Sequence, residues 1–320
     1  MQEALREALR ASLRDDERTL VFGEDVGRLG GVFRVTDGLQ AQFGEQRVFD
    51  TPLAEAGIVG LAVGLCMSGW RPVAEIQFDG FSFPAFNQIA SHVSKLRTRS
   101  RGALSLPLTI RIPSFGGISG PEHHSESVEA LYSHLPGLKV VAPADPPEAY
   151  ELLRQAIADP DPVIFLEPKS RYWSRAEVEL SAAVPAADYA PRVVRAGEHA
   201  TLIAWGACVQ RCLDTAAFAA EDGVELEVID LRWCKPIDAQ ALAASVRRTG
   251  RAVVVQEAAL AGGLAAEVSA LLMEHCFDAL LAPVQRVGAP DVPYPPAALE
   301  LDFLPSADRI LSAVARTLAP

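Results

Sequence analysis

Short apolar runs alternate with helical patterns along the whole of this chain, and that alternation constrains its fold more than any other feature. Runs at 19–22, 47–49, 72–78, 106–112, 138–142 and 162–166 read as buried strands. Helical patterns lie between them, at 1–17, 36–43, from 51 onward, 83–98, from 128 onward and 147–158. Strands separated by helices pair in parallel, with the helices covering both faces of the sheet. The fold class is therefore α/β, with a mostly parallel sheet. Periodicity fails over 174–190, where alanine, proline and charge accumulate, and a boundary there separates a domain of 1–180 from one of 190–320. The second half repeats the pattern, with strands at 200–204, 226–230, 252–256 and 284–287 and helices at 209–220, 239–248, 263–276 and 306–318. It is poorer in histidine and in polar loop clusters, so it is expected to assemble rather than catalyse.

Composition narrows the function. The chain has 320 residues, 49% of them hydrophobic and 22% charged, which suits a globular protein with a large core. A formal net charge of −12 argues against nucleic acid or an anionic membrane surface as the main partner. The five cysteines, Cys66, Cys208, Cys212, Cys234 and Cys276, are odd in number and form no CxxC. That predicts free, buried thiols in a reducing compartment. The N-terminal pattern MQEALREALRASLRDDE mixes acids into an amphipathic helix, unlike a signal or transit peptide. No apolar run reaches membrane-spanning length. The expectation is a soluble, cytoplasmic protein.

Two stretches carry candidate chemistry. The first, DTPLAEAGIVGLAVG at 50–64, offers Thr51 as a helix N-cap, Pro52 as the first helical residue and Glu55 in the first turn. Gly57, Gly60 and Gly64 then interrupt an apolar run. Each costs roughly 1 kcal/mol in a helix relative to alanine, which predicts a neighbour packed very close. Glu55 enters that apolar setting, where desolvation raises a carboxyl pKa; the plainer alternative is a first-turn acid that favours the helix dipole.

The second stretch is the loop PSFGGISGPEHHSES at 113–127. It holds neither GxSxG nor HExxH. Adjacent His123 and His124 in an extended chain point to opposite sides, which disfavours a shared metal. His124 lies in a glycine-rich loop beyond a strand end, where open parallel sheets place their ligands, and suits a general acid or base. Elsewhere, Lys95, Arg97, Arg99 and Arg101 alternate as a solvated basic loop or a docking surface for an acidic partner.

These stretches belong to a longer series of strings: GEDV (23–26), GGVFRVTDGL (30–39), RVFDTPLAEAGIVG (47–60), RPVAEIQF (71–78), HHSES (123–127), PGLKVVAP (136–143), DPVIFLEPK (161–169), KPID (235–238) and VPYPPA (292–297). Together they resemble the β subunit of the thiamine-diphosphate-dependent 2-oxoacid dehydrogenases, over the full chain. GGVFRVT, and EIQF followed by FPAF, look more like the branched-chain enzyme than the pyruvate one. The resemblance implies a pyrimidine-binding parallel-sheet domain followed by a transketolase C-terminal-like α/β domain. It implies thiamine diphosphate shared with an α subunit in an α2β2 heterotetramer, with magnesium held mainly by α through a Gly-Asp-Gly motif that this chain lacks.

The same resemblance supplies roles. Glu55 matches the glutamate that hydrogen-bonds a pyrimidine nitrogen, Phe81 the aromatic stacked on that ring, and Leu53 and Gln77 nearby cofactor contacts. His124 matches the histidine that passes a proton while the lipoyl group of the acyltransferase component is acylated. A structural potassium site maps onto Leu108, Ala156, Ile157, Asp159 and Asp161, the last standing where asparagine is common. The implied activity is oxidative decarboxylation of a branched-chain 2-oxo acid. The alternatives are a pyruvate or acetoin enzyme, a subunit that only scaffolds the assembly, or a self-sufficient transketolase-like enzyme.

Overall fold

The computed structural model describes residues 1–180, 183–184 and 188–319; residues 181–182 and 185–187 of the expected boundary segment lie outside it. The strands, in chain order, are β1 (Thr19–Gly23), β2 (Val48–Asp50), β3 (Arg71–Glu75), β4 (Thr109–Ser114), β5 (Lys139–Val141), β6 (Val163–Pro168), β7 (Arg192–Arg195), β8 (Ala200–Ala204), β9 (Leu226–Asp230), β10 (Trp233–Lys235), β11 (Ala252–Ala259) and β12 (Gln285–Ala289). They form a seven-stranded sheet of order β10-β5-β6-β4-β3-β1-β2 and a five-stranded sheet of order β12-β11-β8-β9-β7. Every pairing is parallel except β10 on β5 and β7 on β9. β1, β4, β6, β8 and β9 are buried along their whole length, as befits strands covered on both faces.

Two edge strands leave no apolar run in the sequence. β7 is half exposed and β10 is three residues long. β10 comes from the second half yet completes the first sheet. The crossing is made at Arg232, whose φ of +59° turns the chain between β9 and β10. Its buried guanidinium donates to Glu148 at 2.8 Å and to Asp188 at 3.1 Å, tying the joint to the helix Pro146–Ala158. That helix begins as its sequence dictates, with Asp145 capping the Glu148 N–H and prolines in the first turn.

Inside the first sheet, the wholly buried Arg111 of β4 donates to Glu167 of β6 at 2.7 and 2.9 Å and to Glu75 of β3 at 2.6 Å. Tyr172 adds its hydroxyl to Glu167 at 2.6 Å. Burial alone would push Glu75 toward its neutral form; Arg111 opposes that.

Two helices differ from expectation. The helix after β2 runs Glu55–Met67, with Ala54 at its N-cap position and no side-chain cap. Thr51 does not cap it, because its N–H pairs with the Gly23 carbonyl at 2.9 Å and keeps the chain extended past β2. Pro52 therefore precedes the helix, and Glu55 is its first residue. The helix expected at 83–98 is divided into Ser82–Gln88, a π-helical turn Ile89–Val93 and Leu96–Arg99. The break falls where Gly137 lies against the Ser94 carbonyl, too close for any Cβ.

Candidate active site

β2 and β3 lie on opposite sides of β1, so the strand order reverses there. Such a reversal opens a crevice at the carboxyl ends of the strands. Glu24 follows β1, Glu55 follows β2, and Gln77 and Phe81 follow β3. His124 ends the 3-10 turn Glu122–His124, in the loop after β4. The topology thus brings four separated stretches of sequence to one rim.

Side-chain contacts join them. Gln77 donates to the Asp25 carboxylate at 2.9 Å and to the Glu24 carbonyl at 3.3 Å. The His124 ring stands edge-on to Phe78 at 4.0 Å and to Phe81 at 5.2 Å between centroids. A Cβ on Gly80 would overlap the His123 carbonyl, so glycine is what lets the Phe81 turn and the histidine turn close on each other. The Phe81 turn is anchored by Asp79, wholly buried, whose carboxylate takes the Lys169 ammonium at 2.5 Å and the Gly80 N–H at 2.9 Å. Burial pushes Asp79 up to about 6 against the pull of Lys169, and burial likewise lowers Lys169.

Two buried polar atoms near these strand ends, His124 Nδ1 and Glu24 Oε1, have no hydrogen-bond partner among the described residues. The His124 pKa is lowered by burial first and then by the charges of His123 and Lys169, and its Nδ1 has no hydrogen-bond partner. Glu55 is buried at 8% exposure, and its carboxylate accepts no hydrogen bond among the described residues. Glu24 is raised to about 7, by burial above all and next by the charge of Glu55, and its Oε1 is unpartnered. Sequence reasoning passed over Glu24 as a strand end. Open acceptors beside an aromatic face fit a polar heteroaromatic ring such as an aminopyrimidine.

The glycines of the helix Glu55–Met67 correct an expectation. Apart from the helix's own backbone and the adjacent residues, no atom of the described residues lies within 4 Å of a Cβ built on Gly60 or Gly64, and Gly57 meets only the Ala54 Cβ, at 3.6 Å. The close neighbour is therefore not this chain's own sheet. The glycine face is open, flanked by exposed Leu61, Met67 and Trp70, and Leu53 stands 79% exposed beside it.

The potassium set also comes together, but with the chain's own cations. Arg71 donates to the Ile157 carbonyl at 2.6 Å and to the Asp159 carbonyl at 3.3 Å. Lys139 reaches both Asp159 carboxylate oxygens, at 2.7 and 2.6 Å, and Arg97 pairs with Asp161. The Leu108 carbonyl accepts the Val163 N–H at 2.9 Å, and that of Ala156 the Asp159 N–H at 3.3 Å. A cation here would rest on carbonyl lone pairs left over. His123 and His124 are not extended but lie in one 3-10 turn, with rings 4.3 Å apart. No group of three or more His, Cys, Asp or Glu suited to a metal occurs among the described residues.

The second half also touches the loop that carries His124. Glu257 of β11 and Glu300, the first residue of the helix Glu300–Phe303, accept hydrogen bonds from the backbone of the His124 loop.

A strand-order reversal of this kind is where open α/β sheets in general place their ligands. The family "Transketolase, pyrimidine binding domain" matches residues 1–174, and "Transketolase, C-terminal domain" matches 189–310. A solved chain described as "Split gene transketolase, inactive beta4 tetramer" superposes with a TM-score of 0.81 at 26% identity, over 99% of this chain and 97% of that one. The pyruvate dehydrogenase E1 component subunit beta of Leifsonia xyli subsp. xyli is 52% identical over 100% of this chain and 94% of its own length. The 3-methyl-2-oxobutanoate dehydrogenase subunit beta of Mycobacterium tuberculosis is 51% identical over 99% of this chain and 91% of its own length. The chain belongs to the family of thiamine-diphosphate-dependent 2-oxoacid dehydrogenase β subunits.

Proposed function

We propose that this chain is the β subunit of a branched-chain 2-oxoacid dehydrogenase, working in an α2β2 heterotetramer with a lipoyl acyltransferase as its acceptor. The observation that supports the reading is the packing of His124 on Phe78 and Phe81 beyond the strand ends, with buried Glu55 opening the helix after β2 next to Glu24. Thiamine diphosphate supplies the electron sink that lets a 2-oxo acid lose carbon dioxide. Glu55 accepts or shares a proton with a pyrimidine nitrogen, Phe81 offers its ring face, and Leu53 and Gln77 line the edge. His124 supplies a proton to the lipoyl sulfur released when the S–S bond breaks and the other sulfur takes the acyl group. A lowered pKa makes protonated His124 a readier donor.

The diphosphate and magnesium fall to the α subunit, whose surface closes on the glycine face. Potassium on the carbonyls of Leu108, Ala156, Ile157 and Asp159, beside Asp161, remains part of the proposal as a structural ion. Five free, buried cysteines support a reducing, cytoplasmic setting, and no helix among the described residues is long and apolar enough to cross a membrane.

A pyruvate enzyme is the second reading, favoured by the Leifsonia relative. One assay of the reconstituted enzyme separates these. The proposal expects 2-oxoisovalerate to be preferred to pyruvate and acetoin, and Glu55→Ala to lower turnover by about 100-fold or more, the scale of losing a catalytic proton-transfer group. Preference for pyruvate overturns the substrate, and near-normal turnover by Glu55→Ala would leave the chain a scaffold. Repeating the assay in choline chloride instead of potassium chloride reads the potassium site: unchanged thermal stability and activity sink it.

A further inference from the structure

The loop that carries His124 is held in an unusual conformation by carboxylates from the other half of the chain. Phe115, Gly117 and Ser119 all have positive φ, at +70°, +84° and +58°. Two of the three are not glycine, so the segment is strained and persists only where its surroundings over-determine it. The strained segment turns its N–H groups outward, toward three side chains of the second half.

Gly116 N–H donates to Glu257 Oε2 at 2.9 Å. Gly117 N–H donates to Glu300 Oε1 and to the Tyr294 hydroxyl oxygen, each at 3.1 Å. Ser119 N–H donates to the two Glu300 oxygens at 3.0 and 3.2 Å, and the Tyr294 hydroxyl donates to Glu300 Oε1 at 2.7 Å. Glu257 and Glu300 are buried, at 4% and 5% exposure. Buried carboxylates facing converging N–H groups make charge-assisted hydrogen bonds, the strong kind. A Cβ on Gly116 would run into the Tyr294 ring, so the backbone sits directly against that side chain.

The clamp reaches His124 through a short path. Phe115 N–H donates to the Glu126 carbonyl at 3.1 Å and closes the base of the loop. Within the loop, His124 N–H donates to Pro121 and Ser125 N–H to Glu122, at 3.0 and 2.9 Å. Gly120 packs against Ile118 and Ser125. Fixing residues 115–119 therefore fixes the turn that presents the imidazole.

We propose that Glu257, Tyr294 and Glu300 are positioning residues that hold the strained 115–119 segment and, through it, set His124 against Phe78 and Phe81. The inference rests on the reading of His124 as the group that serves acyl transfer to the lipoyl sulfur. It gives the second half of the chain a part in the chemistry rather than in assembly alone.

The test uses Glu300→Gln and the milder Tyr294→Phe, each in the reconstituted α/β enzyme. Two half-reactions are followed: decarboxylation with an artificial electron acceptor, and acylation of a lipoyl domain. Amide hydrogen exchange of residues 116–125 is measured alongside. In both variants lipoyl acylation should fall by about tenfold or more, as misplacement of a reacting group costs. Decarboxylation should stay within about twofold, and exchange should quicken from Gly117 through Ser125. Equal losses in both half-reactions, or exchange unchanged at His124 and Ser125, overturn the positioning role. His124→Ala is run in the same assay. If it leaves acylation intact, the reading of His124 fails, and the positioning role is then decided by whether exchange quickens as far as Ser125.

Discussion

Glu24 is the residue whose behaviour follows most directly from its surroundings. It is buried beside Glu55, and Asp25 and Glu75 add further negative charge. Its carboxyl rises from an ordinary 4.5 to about 7. An acid that holds its proton more tightly when folded stabilises the fold at acid pH, and that contribution is lost as pH rises through the folded value. Glu24→Gln mimics the protonated form. The variant should therefore melt higher than wild type at pH about 8 and match it near pH about 4, below both values. Thermal unfolding of the purified chain at the two pH values checks this; a variant that melts lower at the alkaline end contradicts it. Glu55 and His124 stand inside strings that carry the resemblance, and Phe81 stands between two of them. Glu24 was not legible as a neighbour of Glu55, because only the parallel pairing of β1 with β2 brings the two strand ends together. Glu257 and Glu300 were less legible still: nothing in their local sequence announces contact with a loop from the other half.

Among the elements, the helix Glu55–Met67 stands out for spending glycines where the chain itself places no neighbour. Each glycine costs roughly 1 kcal/mol against a better helix former. An open face of that kind, bordered by exposed Leu61, Met67 and Trp70, suits close approach by another helix. Gly60→Leu should leave the isolated chain as stable as before, or more stable by up to about 1 kcal/mol. The same change should abolish assembly with the α subunit. Urea unfolding reads the first effect and size-exclusion chromatography of mixed subunits reads the second; a normal tetramer from Gly60→Leu rules out this face as the contact. β1, β4 and β6 of the first half were legible as apolar runs because each is buried along its whole length. The edge strands β7 and β10 were not, since short or half-exposed pairing leaves no such run. The start of the glycine helix was misread for a related reason: pairing of Thr51 with Gly23 is a tertiary contact that overrides a good local capping sequence.

On the scale of the whole molecule, the two halves are interlocked rather than merely joined. β10 lends a strand to the first sheet, Arg232 fastens the crossing, and Glu257 and Glu300 reach into the His124 loop. On the proposed reading, this chain supplies the pyrimidine half of a thiamine diphosphate site and the α subunit supplies the rest. Isothermal titration of thiamine diphosphate with magnesium into this chain alone, the α subunit alone and the mixture examines that division of labour. Tight binding should emerge only in the mixture, and Glu55→Ala in this chain should weaken it. Tight binding by this chain alone, at the affinity of the mixture, would contradict a site shared between two subunits.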